Sequence, residues 1–376
     1  MPDRAPREGF WRESLALALP IALQNLLVAV SPLLDGSLIT MTAGDGSPLA
    51  AIGMASQWTW LHGLMQVGFA SGAGVFVSQY WGARDLRGIR RAYGLSMTLA
   101  LAASLLFTAV GLLAPSLVMA AFPCEPDVAA MGAGYLRVAC LAYPATAVYG
   151  VLVVVLRSTE QPRLPMAVSA VGVAAGAALS VALIYFGRMG VAGAGLSAAL
   201  AAWVPPILLL ALSLRRRNVL IEPLKTLLGW DRAFVRHYAA VSTPVLLNEL
   251  LWAIGIVLCR RVFAADASFY AALTAYGAVE GVVSSVFTGI CGACGVMVGK
   301  RVGMGSAPRA RAVARRFAIL MPAAAALVGV AMILFQDAVL WPFRDLDAAA
   351  HAMARSIIWV AGLELALRNF PFVAIV

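Results

Sequence analysis

Three carboxylates stand where an apolar chain has no ordinary use for charge: Asp35, Glu249 and Glu280, each inside a long hydrophobic run. At the centre of a bilayer a charge costs at least ~2.5–3.5 kcal/mol even on the lenient insertion scale, so such residues face a cavity and do work. A carboxylate held away from water is harder to ionise, which lets it load and release a proton near neutral pH. Once ionised, it attracts an organic cation or Na⁺. One group can therefore exchange the two, which is the chemistry of a coupled transporter.

The neighbours of the three acids extend the pattern. Gln24 lies eleven residues before Asp35, almost three helical turns, so the two share a face, with Asn25 beside them. Pro20 and Pro32 remove backbone donors from the same helix and can kink it. The competing reading makes Asp35, next to Gly36, a helix-end residue at the membrane interface. Glu249 follows Asn248, and Trp252 lies one turn after Asn248. Glu280 belongs to a stripe at four-residue spacing, Tyr276, Glu280, Ser284 and Thr288, which makes one polar helix face. Thr59, His62 and Gln66 share a face of another helix. Such polar faces point inward, either to a substrate or to hydrogen bonds between helices. The expected coupling residues are Asp35, Glu249 and Glu280. The expected substrate-facing set is Gln24, Asn25, Asn248, Trp252, Tyr276, Thr59 and Gln66. Trp58, Trp60 and Met65 fit either a cavity for flat cations or ordinary packing.

Other chemistry is absent from the sequence. There is no Walker A motif, no G-x-S-x-G, and the three histidines, His62, His237 and His351, are dispersed. Cys291 and Cys294 form a C-x-x-C in a Gly/Val-rich run with no second pair, so they read as small packing residues. The sequence reads as a non-enzyme with no catalytic residues, no metal site and no cofactor beyond H⁺ or Na⁺ as coupling ion.

The elements that must hold these residues are membrane helices. Of 376 residues, 62% are hydrophobic and 12% charged, with mean hydropathy +0.87. A soluble domain carries about 25% charged residues. A span needs ~20 apolar residues, and ten segments qualify, at 14–39, 49–80, 92–114, 130–156, 164–186, 191–214, 236–263, 268–299, 313–335 and 352–376, the last cut short. The chain ends at Val376 inside an apolar run, which reads as C-terminal sequence missing. No cleavable signal is evident, because the first apolar segment is too long.

The net charge of +10 raises nucleic-acid binding, but the basic residues sit between apolar segments. Counting the N-terminus and every second loop as one side, that side holds 21 of the 28 Lys and Arg residues. By the positive-inside rule it is cytoplasmic. The expected location is a bacterial-type inner membrane, multi-pass, with a cytoplasmic N-terminus and no nucleic-acid partner.

The sequence also repeats itself weakly. Leu19-Pro20-Ile-Ala-Leu-Gln24-Asn25-Leu26-Leu27 resembles Thr243-Pro244-Val-Leu-Leu-Asn248-Glu249-Leu250-Leu251 at an offset of 224. Gly74 to Asp85 aligns with Gly295 to Ser306 at an offset of 221, which sets Thr59 opposite Glu280. Six helices separate the copies, so they are parallel repeats related by an axis along the membrane normal. The expected fold is all-α and polytopic, two six-helix bundles with about ten of twelve helices present. The divisions are a cytoplasmic N-terminus at 1–13, an N-lobe at 14–214, a linker at 215–235 and an incomplete C-lobe at 236–376.

Several segments together resemble the multidrug and toxin extrusion (MATE) family: Leu19-Pro20 with Asp35-Gly36, Gly74-Val-Phe-Val-Ser-Gln79-Tyr-Trp-Gly82-Ala-Arg84, Leu156-Arg157-Ser-Thr-Glu-Gln161-Pro162-Arg163, and Gly190-Val-Ala-Gly193-Ala-Gly195. The resemblance implies a twelve-helix exporter, expected to be monomeric, that exchanges H⁺ or Na⁺ for cationic, amphipathic small molecules by alternating access. It maps the family's helix-one aspartate onto Asp35 and its helix-seven glutamate onto Glu249; Glu280 resembles a helix-eight acid found in some members. The chain departs from the family in helix five, where the stretch Gly176-Ala-Ala-Leu-Ser180-Val-Ala offers only Ser180, and in helix ten, where Asn369 or Glu364 stands near the place of an acid. The alternative is a flippase for lipid-linked precursors of the same superfold. It would want a cationic cavity, for which Arg137, Arg355 and Arg368 are the candidates.

Overall fold

Apolar runs this long, broken only by short charged turns, satisfy their backbone groups internally as helices. The computed structural model describes residues 7–42, 47–121, 125–216, 220, 227–263, 267–341 and 348–375. They form α1 (Arg7–Thr42), α2 (Ser47–Ala83), α3 (Leu86–Leu113), the short α4 (Pro115–Met119), α5 (Pro126–Ala139), α6 (Tyr143–Ser158), α7 (Arg163–Ser180), α8 (Gly190–Arg216), α9 (Arg232–Phe263), α10 (Ala267–Gly303), α11 (Ala307–Leu334), the short α12 (Gln336–Leu340) and α13 (Ala348–Ile375). No strand occurs among the described residues. Seven stretches of them are long and apolar enough to cross a membrane. Large apolar side chains such as Leu113, Leu327 and Leu367 are 86%, 73% and 76% exposed, a surface suited to lipid and not to water.

Each of the ten expected spans contains a helix, and the boundaries shift for local reasons. α3 starts six residues before the apolar run because Asp85 caps it, its Oδ1 accepting the Gly88 amide at 3.0 Å. The fourth span is α5 and α6 joined by a 3₁₀ turn over Cys140–Ala142, next to Pro144, which has no N–H to donate. α7 continues through a wider π turn over Val181–Phe186. α1 is helical through both Pro20 and Pro32.

The weak repeat becomes explicit in the backbone. α2 and α10 have 37 residues each, α3 and α11 have 28 each, and α4 and α12 have five each. The turn between the second and third helices repeats bond for bond. Asp85 N donates to Tyr80 O at 2.9 Å, and Ser306 N to Arg301 O at 3.1 Å. Arg84 N donates to Trp81 O at 3.2 Å, and Gly305 N to Val302 O at 2.9 Å. The residue in the left-handed region is Arg84 (φ 56°) in one turn and Gly305 (φ 71°) in the other. All of these pairs are 221 residues apart, the register read from the sequence.

Two compact units result, one of residues 27–250 and one of residues 1–26 with 251–376. This differs from the sequence-order lobes at 14–214 and 236–376, because α1 and α9 each divide near their middle. The reason is small-residue packing. A Cβ at Gly68 on α2 would lie 2.7 Å from Leu246 Cδ1 of α9, inside the first unit. A Cβ at Gly289 on α10 would lie 2.7 Å from both Ala18 O and Ala22 Cβ of α1, inside the second. Gly68 and Gly289 are equivalent in the repeat, as are Leu246 and Ala22. The opening half of each repeat's first helix thus packs on the second helix of the other repeat.

In the unit built on 251–376, the start of α1 is held by Glu13 paired to Arg301 at 2.7 Å, by Phe10 against Phe317 with ring centroids 5.3 Å apart, and by Arg316 over the Phe10 ring. α11 packs most extensively on α13. Their backbones meet at Gly329 and Gly362, where a Cβ on Gly329 would stand 2.1 Å from the Gly362 carbonyl oxygen. Cys294 is buried in this core and Cys291 packs against it.

Candidate functional site

The polar faces of the two second helices, α2 and α10, are where side chains with chemistry converge. Each helix meets the fourth span of its own unit there.

On α2, Thr59, His62 and Gln66 fall at i, i+3 and i+7 and so point one way. Thr59 Oγ1 and the Tyr143 hydroxyl of α6 share a hydrogen bond of 2.9 Å. The His62 ring stacks on the Tyr143 ring at 4.5 Å and meets the Phe107 edge at 5.5 Å. His62 is 2% exposed. Gln66 Nε2 donates to the Ala100 carbonyl at 3.2 Å and lies 3.1 Å from His62 Nε2. A carbonyl only accepts, so the Gln66 amide nitrogen must face it. Its second hydrogen then points at His62 Nε2, which must present a lone pair there. Ser104 Oγ is 3.1 Å from the same nitrogen. Trp58 packs at 4.6 Å on Phe107, so it is part of the wall that holds this network.

On α10, Tyr276 and Glu280 are one turn apart. Arg368 of α13 donates from Nη1 to Glu280 Oε1 in an ion pair. The two side chains are 31% and 33% exposed, so the pair is partly open. Glu364, one turn before Arg368, is exposed and within electrostatic reach of both Arg368 and Tyr276. Asn369 is buried and donates to its own helix, at Leu365 O, 2.8 Å away. The repeat register gives the two clusters a common origin. Thr59 corresponds to Glu280. One unit bridges its second and fourth spans with neutral hydroxyls and the other with charge.

The structure thus gathers Thr59 with Gln66, and Tyr276 with Glu280. Gln24 is buried and Asn25 half-buried on α1; on α9 Glu249 is half-buried, while Asn248 and Trp252 are exposed. Asp35 lies in α1, but its side chain falls outside the described residues. Three partners were not singled out for this role from the sequence: Tyr143, Ser104 and, as the mate of Glu280, Arg368. A sequence signal existed for the last. A guanidinium in an apolar run calls for a counter-charge at the same depth. Ser180, in the fifth span, is buried and bonds Ser197 Oγ of α8 at 3.2 Å.

Comparison with known proteins agrees with this architecture. The sequence pattern of the MatE family matches residues 20–182. A probable multidrug resistance protein NorM from Thermotoga maritima is 23% identical over 331 residues, covering 87% of this chain and 70% of that protein. Another probable multidrug resistance protein NorM, from Deinococcus radiodurans, is 30% identical over 271 residues, covering 70% of this chain and 58% of that protein. The crystal structure of a MATE protein in complex with MaL6 superposes with a TM-score of 0.87 at 18% identity, covering 96% of this chain and 81% of that one. Family pattern, relatives, shared fold and duplicated helix plan converge: residues 20–182 carry the MatE family pattern, and the chain shares the fold of MATE proteins of known structure.

Proposed function

We propose that the protein is a secondary-active exporter that exchanges H⁺ or Na⁺ for cationic, amphipathic small molecules by alternating access. The observation that carries the reading is Glu280, a partly open carboxylate held between membrane helices with a counter-ion in place. A scaffold has no use for such an ionisable pair within the bilayer, whereas a carrier of cations needs one. Glu249, half-buried on α9, and Asp35, on α1, are the further coupling residues in this reading; Gln24, Asn25, Asn248, Trp252, Tyr276, Thr59 and Gln66 are proposed to face the substrate. The basic turns at 84–91 and 300–316 argue for a cytoplasmic N-terminus in a bacterial-type inner membrane.

The test is ethidium efflux from energised cells that lack their own exporters, with Asp35→Asn, Glu249→Gln and Glu280→Gln variants at matched expression. The reading expects efflux that collapses when the ion gradient is dissipated and fails in the variants. Efflux that survives both overturns it. One observation favours a second reading, a flippase for anionic lipid-linked precursors: Arg368 places a guanidinium in the same cluster. That reading expects no ethidium efflux, and loss of precursor translocation in Arg368→Gln.

A further inference from the structure

Arg368 has two acids to choose from, and this is the basis of a switch. Glu280 reaches it across the α10–α13 contact, and that pair is the one formed. Glu364 stands four residues earlier on α13, the favourable order for an acid–base pair along one helix. It is exposed and already within electrostatic reach of the guanidinium. Leaving Glu280 therefore does not strand Arg368 without a partner. With two carboxylates and one guanidinium the trio carries a net charge of −1, so it has room for one further positive charge. The neutral Thr59–Tyr143 bridge at the equivalent level of the other unit has no such choice.

We propose that Arg368 is a tethered cation that occupies Glu280 in the empty protein and competes there with the transported cation. Glu364 receives the guanidinium when Glu280 is loaded. The site is thereby kept from holding a carboxylate without a counter-charge at any stage, a state that a partly desolvated site penalises. Tyr276, one turn from Glu280, is placed to offer its ring face to an organic cation that arrives. The inference deepens the exporter reading and rests on it for the identity of the competing ion.

Two measurements on the purified full chain in nanodiscs test it, one with a cation and one without. Ethidium binding is followed by fluorescence polarisation. Labelling of Glu280 by a hydrophobic carbodiimide, which attacks carboxyls that are not locked in an ion pair, is followed by peptide mass spectrometry. In Arg368→Gln, ethidium should bind about tenfold more tightly, the scale of one charge-assisted bond released, and Glu280 should label several-fold faster. Glu364→Gln should do the opposite in both assays, because Arg368 then has only Glu280 to pair with. Arg368→Lys, which keeps the charge, should stay near the parent protein and guards against a simple packing defect. Unchanged labelling in Arg368→Gln overturns the tether. Faster labelling with unchanged or weaker ethidium binding overturns the competition. Faster labelling while neither protein binds ethidium overturns the cation-exporter reading and leaves the tether standing.

Discussion

Replacing Gly329 with alanine puts the α11–α13 crossing under direct strain. The added methyl carbon would stand 2.1 Å from the Gly362 carbonyl oxygen, 2.9 Å from its carbon and 3.2 Å from its Cα. Ordinary contact begins at 3.4 Å, so the backbones must part by about 1.3 Å, with no flexible side chain in the way to yield. A gap of ~0.5–1 Å already forfeits a quarter to a half of each dispersion contact it opens. The crossing is lined by Ala325, Met332, Ile358 and Leu365, all buried, and they separate with it. Overpacking costs about 1–3 kcal/mol in well-packed cores, and a backbone-against-backbone site belongs at the upper end, about 3 kcal/mol. Gly362→Ala meets Gly329 O at 2.8 Å and should cost less. SDS-induced unfolding of the purified protein, followed by circular dichroism, measures both. Gly53→Ala and Gly134→Ala, which meet nothing within 4 Å, are the controls and should gain slightly from helix propensity. If Gly329→Ala unfolds with the controls, the two helices do not cross on these glycines.

Arg84→Gly should stabilise the protein by about 1 kcal/mol, since Arg84 holds the left-handed conformation that its counterpart Gly305 adopts freely; a rise in unfolding temperature checks it, and Gly305→Arg should lower that temperature. His62→Leu removes the ring nitrogen that Gln66 and Ser104 both meet and should cost about 1–3 kcal/mol, whereas Gln66→Leu combined with it should cost less than the sum of the two single changes. Glu13→Gln should raise amide hydrogen exchange over residues 9–17 with a global loss of about 1 kcal/mol or less, because its pair with Arg301 is part-exposed.

Much of this architecture was legible in the residues. Each of the ten spans located by hydropathy contains helix among the described residues, because a bilayer tolerates no other use of such runs. The repeat register was legible too: Gly82 to Asp85 and Gly303 to Ser306 looked only distantly alike, yet they fold into the same turn. The division of α1 and α9 between units was not legible. It depends on which helix Gly68 and Gly289 meet, and a glycine's partner leaves no mark on its neighbours in sequence. The site followed the same rule. Thr59, Gln66, Tyr276 and Glu280 were readable as polar faces with a period. Tyr143 and Ser104 were not, because each is one polar residue in an apolar stretch and gains meaning only from the helix opposite. Arg368 was visible as a charge, but its pairing with Glu280 spans 88 residues.

The exchange of first-helix halves bears on how the chain is made. Residues 7–26 emerge first during synthesis, yet the glycine they pack on, Gly289, arrives more than 260 residues later. At ~5–20 residues per second the ribosome needs on the order of 13 seconds or more to deliver it. Through that interval Ser14 and Glu13 wait without their final neighbours, Met297 and Arg301, and the insertion machinery or a chaperone must shelter them. Neither repeat, taken in sequence order, is therefore a self-sufficient unit. Severing the chain within 217–226 should yield two pieces that are each degraded when made alone and that persist only when made together, each completing the other's bundle with the opening turns of its first helix.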